Sequence, residues 1–424
     1  MKQRVVITGM GICAPNGTDL PSFTKAMFEG LSGIRKIQSL QDLGFRCQVA
    51  GEPPISEATL NAYFTPLEQK GLNCTGLVYG TIAGVQAWED AGLAVGKERE
   101  PDWEAGVVFG TSILGVAKFR EAIHRVDAGQ VRRLGSTTVP QTMASGISAF
   151  LGGKLGCGNQ VSTNSAACST GTEAILMAYE RIASGKATRM LAGSCSDSGP
   201  YIWGGFDAMR VVPSRYNDTP ETASRPMSAS ATGFVPSSGA GALMLESLES
   251  ARARKVPIYA EVLGGAVNCG GQRNGGSMTA SNPAAVRNCI RQALGDAGVG
   301  PESVDLVNGH LTATAGDPAE IHNWCEALGR KGADFPYINS FKDVLGHGLA
   351  ASGSMECVAA VLQFKYDQII GNRNADDLHP EIASLIGRER VPEKNRSFRP
   401  EIIAKASLGF GDVNACIIFK RFNP

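Results

Sequence analysis

The sequence predicts an α/β fold assembled from βαβ units. Three observations lead there. Short apolar runs rich in Val, Ile and Leu recur along the 424 residues, longer amphipathic stretches separate them, and glycine-containing turns close most of the runs. Alternation of this kind implies a mainly parallel sheet. The same texture fills both parts of the chain, which suggests two related halves without a residue-level repeat to mark them.

The elements follow in order. "RVVITGMG" reads as a buried strand running into a glycine turn, and "AGVVFGTS" (105–112), "RMLAGSCSD" (189–197) and "GALMLES" (241–247) read the same way. Helical patterns fill residues 75–92 and 171–187. In the second half "IYAEVLGGAVN" is strand-like, and "NPAAVRNCIRQALGDAG" is a helix with proline near its start and glycine just past its end. "VDLVNGH" and "PYINSFK" are short strands entering turns, and residues 402–422 read as two strands around a glycine-rich turn. The basic segment "ESARARKVP" (249–257) reads as the linker between the halves.

Composition removes several function classes. Lys plus Arg and Asp plus Glu are both 40, which argues against wholesale nucleic-acid or membrane-surface binding. No apolar run is long enough for a membrane span, and the N-terminus has no signal-peptide h-region. Eleven cysteines are scattered without a Cys-x-x-Cys pair, which points to a reducing cytoplasm and away from a disulfide scaffold or structural zinc. Neither Gly-x-Gly-x-x-Gly nor a phosphate-binding Gly-x-x-x-x-Gly-Lys-Ser/Thr occurs.

Several residues could carry chemistry. Cys168 in "TNSAACSTGTEAILMAYE" stands just before a helical run, where free N–H groups and the helix dipole favour a thiolate. Of five histidines, His310 and His347 follow strand ends, where ligands gather in α/β folds, while His124, His322 and His379 suit structural or solvated roles. Lys342, five residues before His347, could stabilise an anion there, and "GFGD" (409–412) could supply backbone donors to an oxyanion.

These pieces, in this order, resemble the β-ketoacyl synthases of the thiolase superfamily, specifically the elongating type that acts on acyl carrier protein. The resemblance runs over essentially the whole chain, through "VVITGMGICAPNG", "AACSTG", "SRPMSASATGFV", "GHLTATAGD", "FKDVLGHGLAASGS" and "GFGDVNA". It implies a thiolase-like five-layered αβαβα fold from two duplicated halves. Residues 1–250 would carry the nucleophilic cysteine, and residues 251–424 the two catalytic histidines and the gating loop. Cys168 matches the acyl-accepting nucleophile, His310 and His347 the histidine pair, and Lys342 the lysine beside them. Phe410 matches the gating phenylalanine whose N–H joins that of Cys168 in the oxyanion hole. Thr312 and Thr314 match residues that hydrogen-bond the phosphopantetheine arm. The second histidine places the chain in the Cys-His-His class and not among the initiating Cys-His-Asn synthases.

The implied reaction is a decarboxylative Claisen condensation of an acyl chain on Cys168 with malonyl-acyl carrier protein. It needs no metal, nucleotide or redox cofactor, because phosphopantetheine on the carrier delivers the substrate. The implied assembly is a dimer, either with a copy of itself or with a ketosynthase-like chain-length subunit, using residues 119–150. By charge and position, Lys70, Arg132, Arg133 and Arg210 are candidates for carrier docking.

The chain departs from the usual family pattern at Met227, Ser228, Ser238, Leu311 and Asp412. These changes are expected to alter the buried carboxylate network around Lys342 and the motion of the gate. They also suggest divergence toward a type II polyketide or aryl-polyene pathway, with housekeeping fatty-acid elongation as the alternative. A non-catalytic chain-length subunit would lack the cysteine that this chain retains. A degradative thiolase would need a second cysteine in a Cys-x-Gly setting, whereas Cys416 is followed by Ile417 and Ile418.

Overall fold

The structure, a computed structural model, describes residues 2–96 and 100–423. Ten strands form one sheet. They are β1 (Val5–Cys13), β2 (Ala105–Gly110), β3 (Val161–Ser162), β4 (Arg189–Ser196), β5 (Gly239–Ser247), β6 (Ala260–Cys269), β7 (Leu306–Asn308), β8 (Tyr337–Asn339), β9 (Ile402–Gly409) and β10 (Val413–Arg421). Their spatial order is β8-β7-β9-β10-β6-β1-β5-β4-β2-β3. Read outward-in from each edge, both ends of the sheet follow the same path: third strand, second, fourth, fifth, first. The two runs meet where Val5, Val6 and Ile7 of β1 face Val262, Glu261 and Ala260 of β6.

The sheet is mixed, not mainly parallel as the alternation of elements suggested. The outer pairs β7–β8, β7–β9, β2–β3 and β2–β4 are parallel, while the pairs between them are antiparallel. The cause is visible at the end of the chain. Only residues 410–412 separate β9 from β10, far too few for the crossover a parallel pair needs.

Seven longer helices order the layers: α1 (Thr75–Asp90), α2 (Val116–Asp127), α3 (Gly146–Leu155), α4 (Thr170–Ala183), α5 (Pro283–Ala297), α6 (Asp317–Leu328) and α7 (Ser352–Tyr366). Helices α1 and α3 cover one outer face with Ile82, Ile147 and Leu151. Helices α5 and α6 cover the other with Ile290, Ile321 and Trp324. Between the two parts of the sheet lie α4 and α7, where Ile175, Leu176, Val358 and Leu362 join Leu243, Leu245, Ile403 and Ile417 in one core. The layers therefore run αβαβα. Helix α7 is buried from Ser352 through Phe364, as a central-layer helix must be.

The segment read as a linker is instead ordered structure. Leu248–Arg254 is a helix capped by the Ser247 hydroxyl, which accepts from the Ser250 N–H, and its Arg254 pairs with Glu246 of β5 at 3.0 Å. Arg254 thus holds this basic stretch against the sheet.

The crossing of α4 and α7 fixes the site. A Cβ on Gly171 would stand 2.4 Å from the Ser354 nitrogen, and a Cβ on Gly353 would stand 2.7 Å from the Thr172 nitrogen. Glycine at both positions lets the two helices touch backbone to backbone at their first turns. Both N-termini then open onto the same spot.

Candidate active site

Cys168 lies in the 3-10 turn Ala167–Ser169 that leads into α4. The turn is tightly braced. Thr170 Oγ1 accepts from the Ala166 N–H at 2.8 Å and donates to the Ala167 carbonyl at 2.7 Å. Ala167 holds a left-handed φ of 47°, a strained conformation for a residue with a side chain, immediately before the cysteine. The Ser169 hydroxyl donates to the carbonyls of Ser407 at 3.0 Å and Val413 at 3.2 Å, which ties the turn to β9 and β10. A Cβ on Gly409 would meet the Ala166 carbonyl oxygen at 2.9 Å and the Cys168 nitrogen at 3.2 Å, so glycine there lets this turn approach. The Phe410 N–H and the N–H of Cys168 itself both face the thiol.

One ligating atom each from Cys168, His310 and His347 lie within 4.8 Å of one another. The imidazoles stand edge to face, with centroids 5.3 Å apart at 83°. His347 has a defined tautomer. Its Nδ1 accepts from the Leu349 N–H at 3.1 Å, and a backbone amide can only donate, so the ring proton sits on Nε2. The Ser352 hydroxyl, 2.9 Å away, supports the same Nδ1. His347 thus offers an N–H, not a lone pair, to whatever enters, which suits an oxyanion and not a metal ion. His347's main chain is clamped by the segment 235–237: its N–H donates to Val235 and its carbonyl accepts from Ser237. Nδ1 of His310 is buried and has no protein partner.

The His310 peptide is held from both ends by charged groups. Its N–H donates to Glu320 at 2.6 Å, and Leu311 N–H donates to the other oxygen of the same carboxylate at 2.7 Å. Its carbonyl accepts from Lys342 Nζ at 2.6 Å. Lys342 in turn pairs with Glu356 of α7, whose second oxygen pairs with Lys405 of β9 at 2.6 Å. All three charged groups are fully buried. Of the family departures, Leu311 meets this network through its backbone N–H on Glu320, whereas Met227, Ser228 and Ser238 bond elsewhere. Met227 N–H is bound by Asp317 at 2.8 Å, Ser228 bonds Asp377 alongside Arg225, and the Ser238 hydroxyl reaches the Gly51 carbonyl at 3.2 Å. The carboxylate that pairs with Lys342 comes from α7.

Burial dominates the electrostatics. It pushes the Cys168 thiol up to about 11, against the pull of Lys342 and of the Phe410 N–H. This burial opposes the ionisation that the helix start favours. His310 and His347 are held well below the usual histidine range by burial and by the positive charge of Lys342 and Lys405, so both are neutral. Burial also raises Glu320 to about 7, although two backbone N–H groups favour its ionised form.

The other sequence-selected residues fall in three places. Thr312 and Thr314 share a hydroxyl contact of 3.0 Å on the loop after His310, where Asp317 gathers the N–H groups of Thr312, Ala313 and Thr314. The ring of Phe410 lies 6.3 Å from Phe206, Phe206 lies 5.3 Å from Phe234, and Phe234 lies 5.0 Å from His347, so an aromatic row joins the turn to the histidine. Lys70, Arg132 and Arg133 are exposed around α2, where Lys118 reaches the Gly71 carbonyl and Arg125 the Arg133 carbonyl. Arg210 is exposed elsewhere, just after the helix that carries Phe206.

Sequence reasoning missed Glu356, Glu320, Asp317, Lys405 and Ser352. Two of these had a visible signal. Lys405 in "EIIAKASLGF" and Glu356 in "GSMECVAAVLQF" are single charges inside apolar runs, a pattern that calls for a buried partner.

Comparison with known proteins agrees with this arrangement. Residues 2–251 match the family described as Beta-ketoacyl synthase, N-terminal domain, and residues 259–376 match Beta-ketoacyl synthase, C-terminal domain. The chain belongs to the β-ketoacyl synthase family. It is 34% identical over 433 residues to a 3-oxoacyl-[acyl-carrier-protein] synthase I, chloroplastic, of Arabidopsis thaliana, covering 100% of this chain and 88% of that protein. It is 33% identical over 423 residues to 3-oxoacyl-[acyl-carrier-protein] synthase 2 of Vibrio cholerae, covering 99% of each. Among solved structures, a β-ketoacyl synthase from Burkholderia phymatum superposes with a TM-score of 0.88 at 28% identity, covering 99% of this chain and 100% of that one. A type II polyketide ketosynthase complex, AntDE:AntF, gives 0.86 at 27% identity with 100% coverage of both chains. The protein is accordingly an acyl-transferring ketosynthase with the thiolase-like fold. Among the described residues no helix is long and apolar enough to cross a membrane.

Proposed function

We propose that this ketosynthase condenses an acyl chain carried on Cys168 with malonyl-acyl carrier protein, giving 3-oxoacyl-acyl carrier protein, in a specialised type II polyketide or polyene pathway. One observation carries the chemistry: the thiol and two neutral imidazoles meet within 4.8 Å where the N-termini of α4 and α7 converge.

Each step uses groups already placed. Cys168 Sγ attacks the acyl thioester carbonyl, and the oxyanion that forms lies against the N–H groups of Cys168 and Phe410. The carrier thiolate leaves and takes the proton that Cys168 gave up. Thr312 and Thr314 hydrogen-bond the phosphopantetheine arm. The malonyl carboxylate then departs as CO₂, and its C–C electron pair becomes an enolate on the thioester oxygen. The Nε2–H of His347 donates to that oxygen, and the open ring of His310 completes the cradle. The carbanion attacks the acyl-Cys168 carbonyl, the new C–C bond forms, and the Cys168 thiolate leaves and takes one proton from water. No group beyond the carrier's phosphopantetheine is required.

The specialised pathway is supported by Met227, Ser228, Ser238, Leu311 and Asp412 and by the likeness to AntDE:AntF and to the ishigamide ketosynthase/chain length factor, which superposes with a TM-score of 0.88 at 26% identity. The named 3-oxoacyl synthases of the previous section favour fatty-acid elongation as the second reading. An acyl carrier protein is the proposed partner, docking at Lys70, Arg132, Arg133 and Arg210. A second ketosynthase-like chain, identical or a chain-length subunit, is proposed to cover the exposed apolar residues Phe119, Ile123, Val126 and Val131. We place the reaction in a reducing cytoplasm, in keeping with eleven unpaired cysteines.

The test is mass spectrometry of the intact chain after incubation with acyl-loaded carrier. Wild type should gain one acyl mass and Cys168→Ala none; an acylated Cys168→Ala would refute the assignment. Product analysis with malonyl carrier separates the two pathways, a saturable short 3-oxoacyl product alone favouring fatty-acid elongation.

A further inference from the structure

Lys405 takes no part in the chemistry above, yet it is a lysine with no exposed surface beside the reacting groups. It sits in the middle of β9, opposite Ile417 of β10 and Asn308 of β7. Its ammonium donates to Glu356 Oε2 at 2.6 Å and to the Ala406 carbonyl at 2.6 Å. Glu356 Oε1 faces Lys342, and Lys342 donates to the His310 carbonyl at 2.6 Å. The line of contacts therefore runs from β9 through α7 to the backbone of a histidine in the site.

A carboxylate between two ammonium groups has one oxygen for each. With Lys405 on Oε2, Glu356 is held by a second partner and presents only Oε1 to Lys342. The Lys342 ammonium, which has three donors, is then left a donor for His310. Without Lys405, Glu356 would be free to turn both oxygens onto Lys342 and draw it off the His310 carbonyl. The geometry points to Lys405 as a positioning residue for the carbanion half of the reaction: through Glu356 and Lys342 it fixes the His310 backbone, and it adds a second positive charge behind the two imidazoles. This rests on the condensation proposed above.

The charged and titratable groups around the pair are Glu356 and Cys357 on α7, Cys416 on β10, Glu320 and Asp317 on α6, Lys342, His310, His347 and Cys168. Lys405 acts on both histidines in the same direction as Lys342, keeping them neutral. Removing its charge lets the histidines take up a proton at higher pH, which spoils them as neutral donors.

The two half-reactions separate this role from general stability. Acyl transfer to Cys168 relies on the Cys168 and Phe410 N–H groups, whereas CO₂ release from malonyl carrier relies on the histidines. In Lys405→Met, CO₂ release should fall about 10-fold or more while acyl transfer stays within about 2-fold. The acid limb of its pH profile should move to higher pH. Lys405→Gln, which keeps a donor for Glu356 without the charge, should recover part of the CO₂ release but retain the shifted limb; it also carries the test if the methionine variant does not fold. Unchanged CO₂ release, or equal loss of both half-reactions, would overturn the inference. If wild type itself neither acylates nor releases CO₂, the proposed function fails first and takes this inference with it.

Discussion

Asp412→Gly restores the residue that the resemblance leads one to expect in the gating turn, and the structure says it should harm the protein. Asp412 is buried and left-handed, with φ of 64°. Its carboxylate accepts from the Asn282 N–H at 2.7 Å and the Gln272 N–H at 3.0 Å, so it binds the turn to the 270–282 segment. A Cβ on Gly270 or Gly276 would fall 2.1 or 2.2 Å from the same carboxylate, so the neighbouring loop leaves room for it. Hydrogen bonds to a charged acceptor contribute about 1.5–3 kcal/mol each, so losing two costs about 3–6 kcal/mol. Relief of the left-handed strain returns about 1–2 kcal/mol, and the freer glycine chain costs about 0.5–1 kcal/mol. The net loss is about 2–5 kcal/mol, or roughly 2–5 °C in melting temperature for a chain of this size. The same release loosens Phe410, whose N–H faces Cys168. Losing one oxyanion donor outright costs about 100-fold or more, so a misaimed one should slow acyl transfer about 10-fold. Asp412→Asn tolerates the left-handed backbone and keeps one acceptor, and should fall between. Rapid-quench acylation and differential scanning fluorimetry read both effects. An Asp412→Gly protein that melts and acylates like wild type would refute the idea that the carboxylate braces the turn.

Further expectations follow from the same geometry. Gly171→Ala should lower stability or abolish soluble expression, because its Cβ would lie 2.4 Å from the Ser354 nitrogen and 2.5 Å from the Ser194 hydroxyl; a normal melting curve would show that the helices can part. Ser352→Ala removes one donor from His347 Nδ1 but leaves the Leu349 N–H, so CO₂ release should drop less than about 10-fold, while His347→Ala should lose far more. Glu320 is raised from 4.5 to about 7, so between those values it is protonated when folded and ionised when unfolded. It therefore makes stability fall as pH rises through that window, and Glu320→Gln should flatten the slope of melting temperature between pH 5 and 7.

What could be read in the sequence was local. Proline at the start and glycine at the end located α5, and the run from Ile402 to Phe422 showed two strands and their turn. Cys168, His310 and His347 were found by their positions before a helix and after strands, but their meeting was not visible, since 142 residues separate the first two (310 − 168). Strand direction was misjudged because apolar alternation reports burial, not polarity of pairing. The charge chain escaped because its members come from three separate segments, the short helix Lys342–Leu345, α7 and β9, and only the fold brings Glu356 between the two lysines. At Cys168 a helix start can be seen in the sequence, whereas the burial that raises the thiol cannot.

The duplicated topology explains why the site lies where it does. Helix α4 connects the third and fourth strands of the first run, and α7 connects the third and fourth strands of the second. Cys168 precedes α4 and His347 precedes α7, so the thiol and the imidazole occupy related places in the two halves. Glycines 171 and 353 bring those helix starts into contact, and two positive helix ends then share one enclosed space. Neither half alone could do this: one macrodipole contributes about 0.3–1 kcal/mol at an exposed end, and more when partly buried. Both reaction halves create an anion at this spot, first on the acyl carbonyl and then on the malonyl thioester. The two demands differ only in their donors, backbone N–H groups at Cys168 and Phe410 for the first, imidazole N–H for the second. A Gly353→Ala variant should therefore impair both half-reactions together, because its Cβ would lie 2.7 Å from the Thr172 nitrogen and part the helix ends. Asp412→Gly should impair acyl transfer first and Lys405→Met only CO₂ release. Three variants with the same profile would mean that the site does not divide its work in this way.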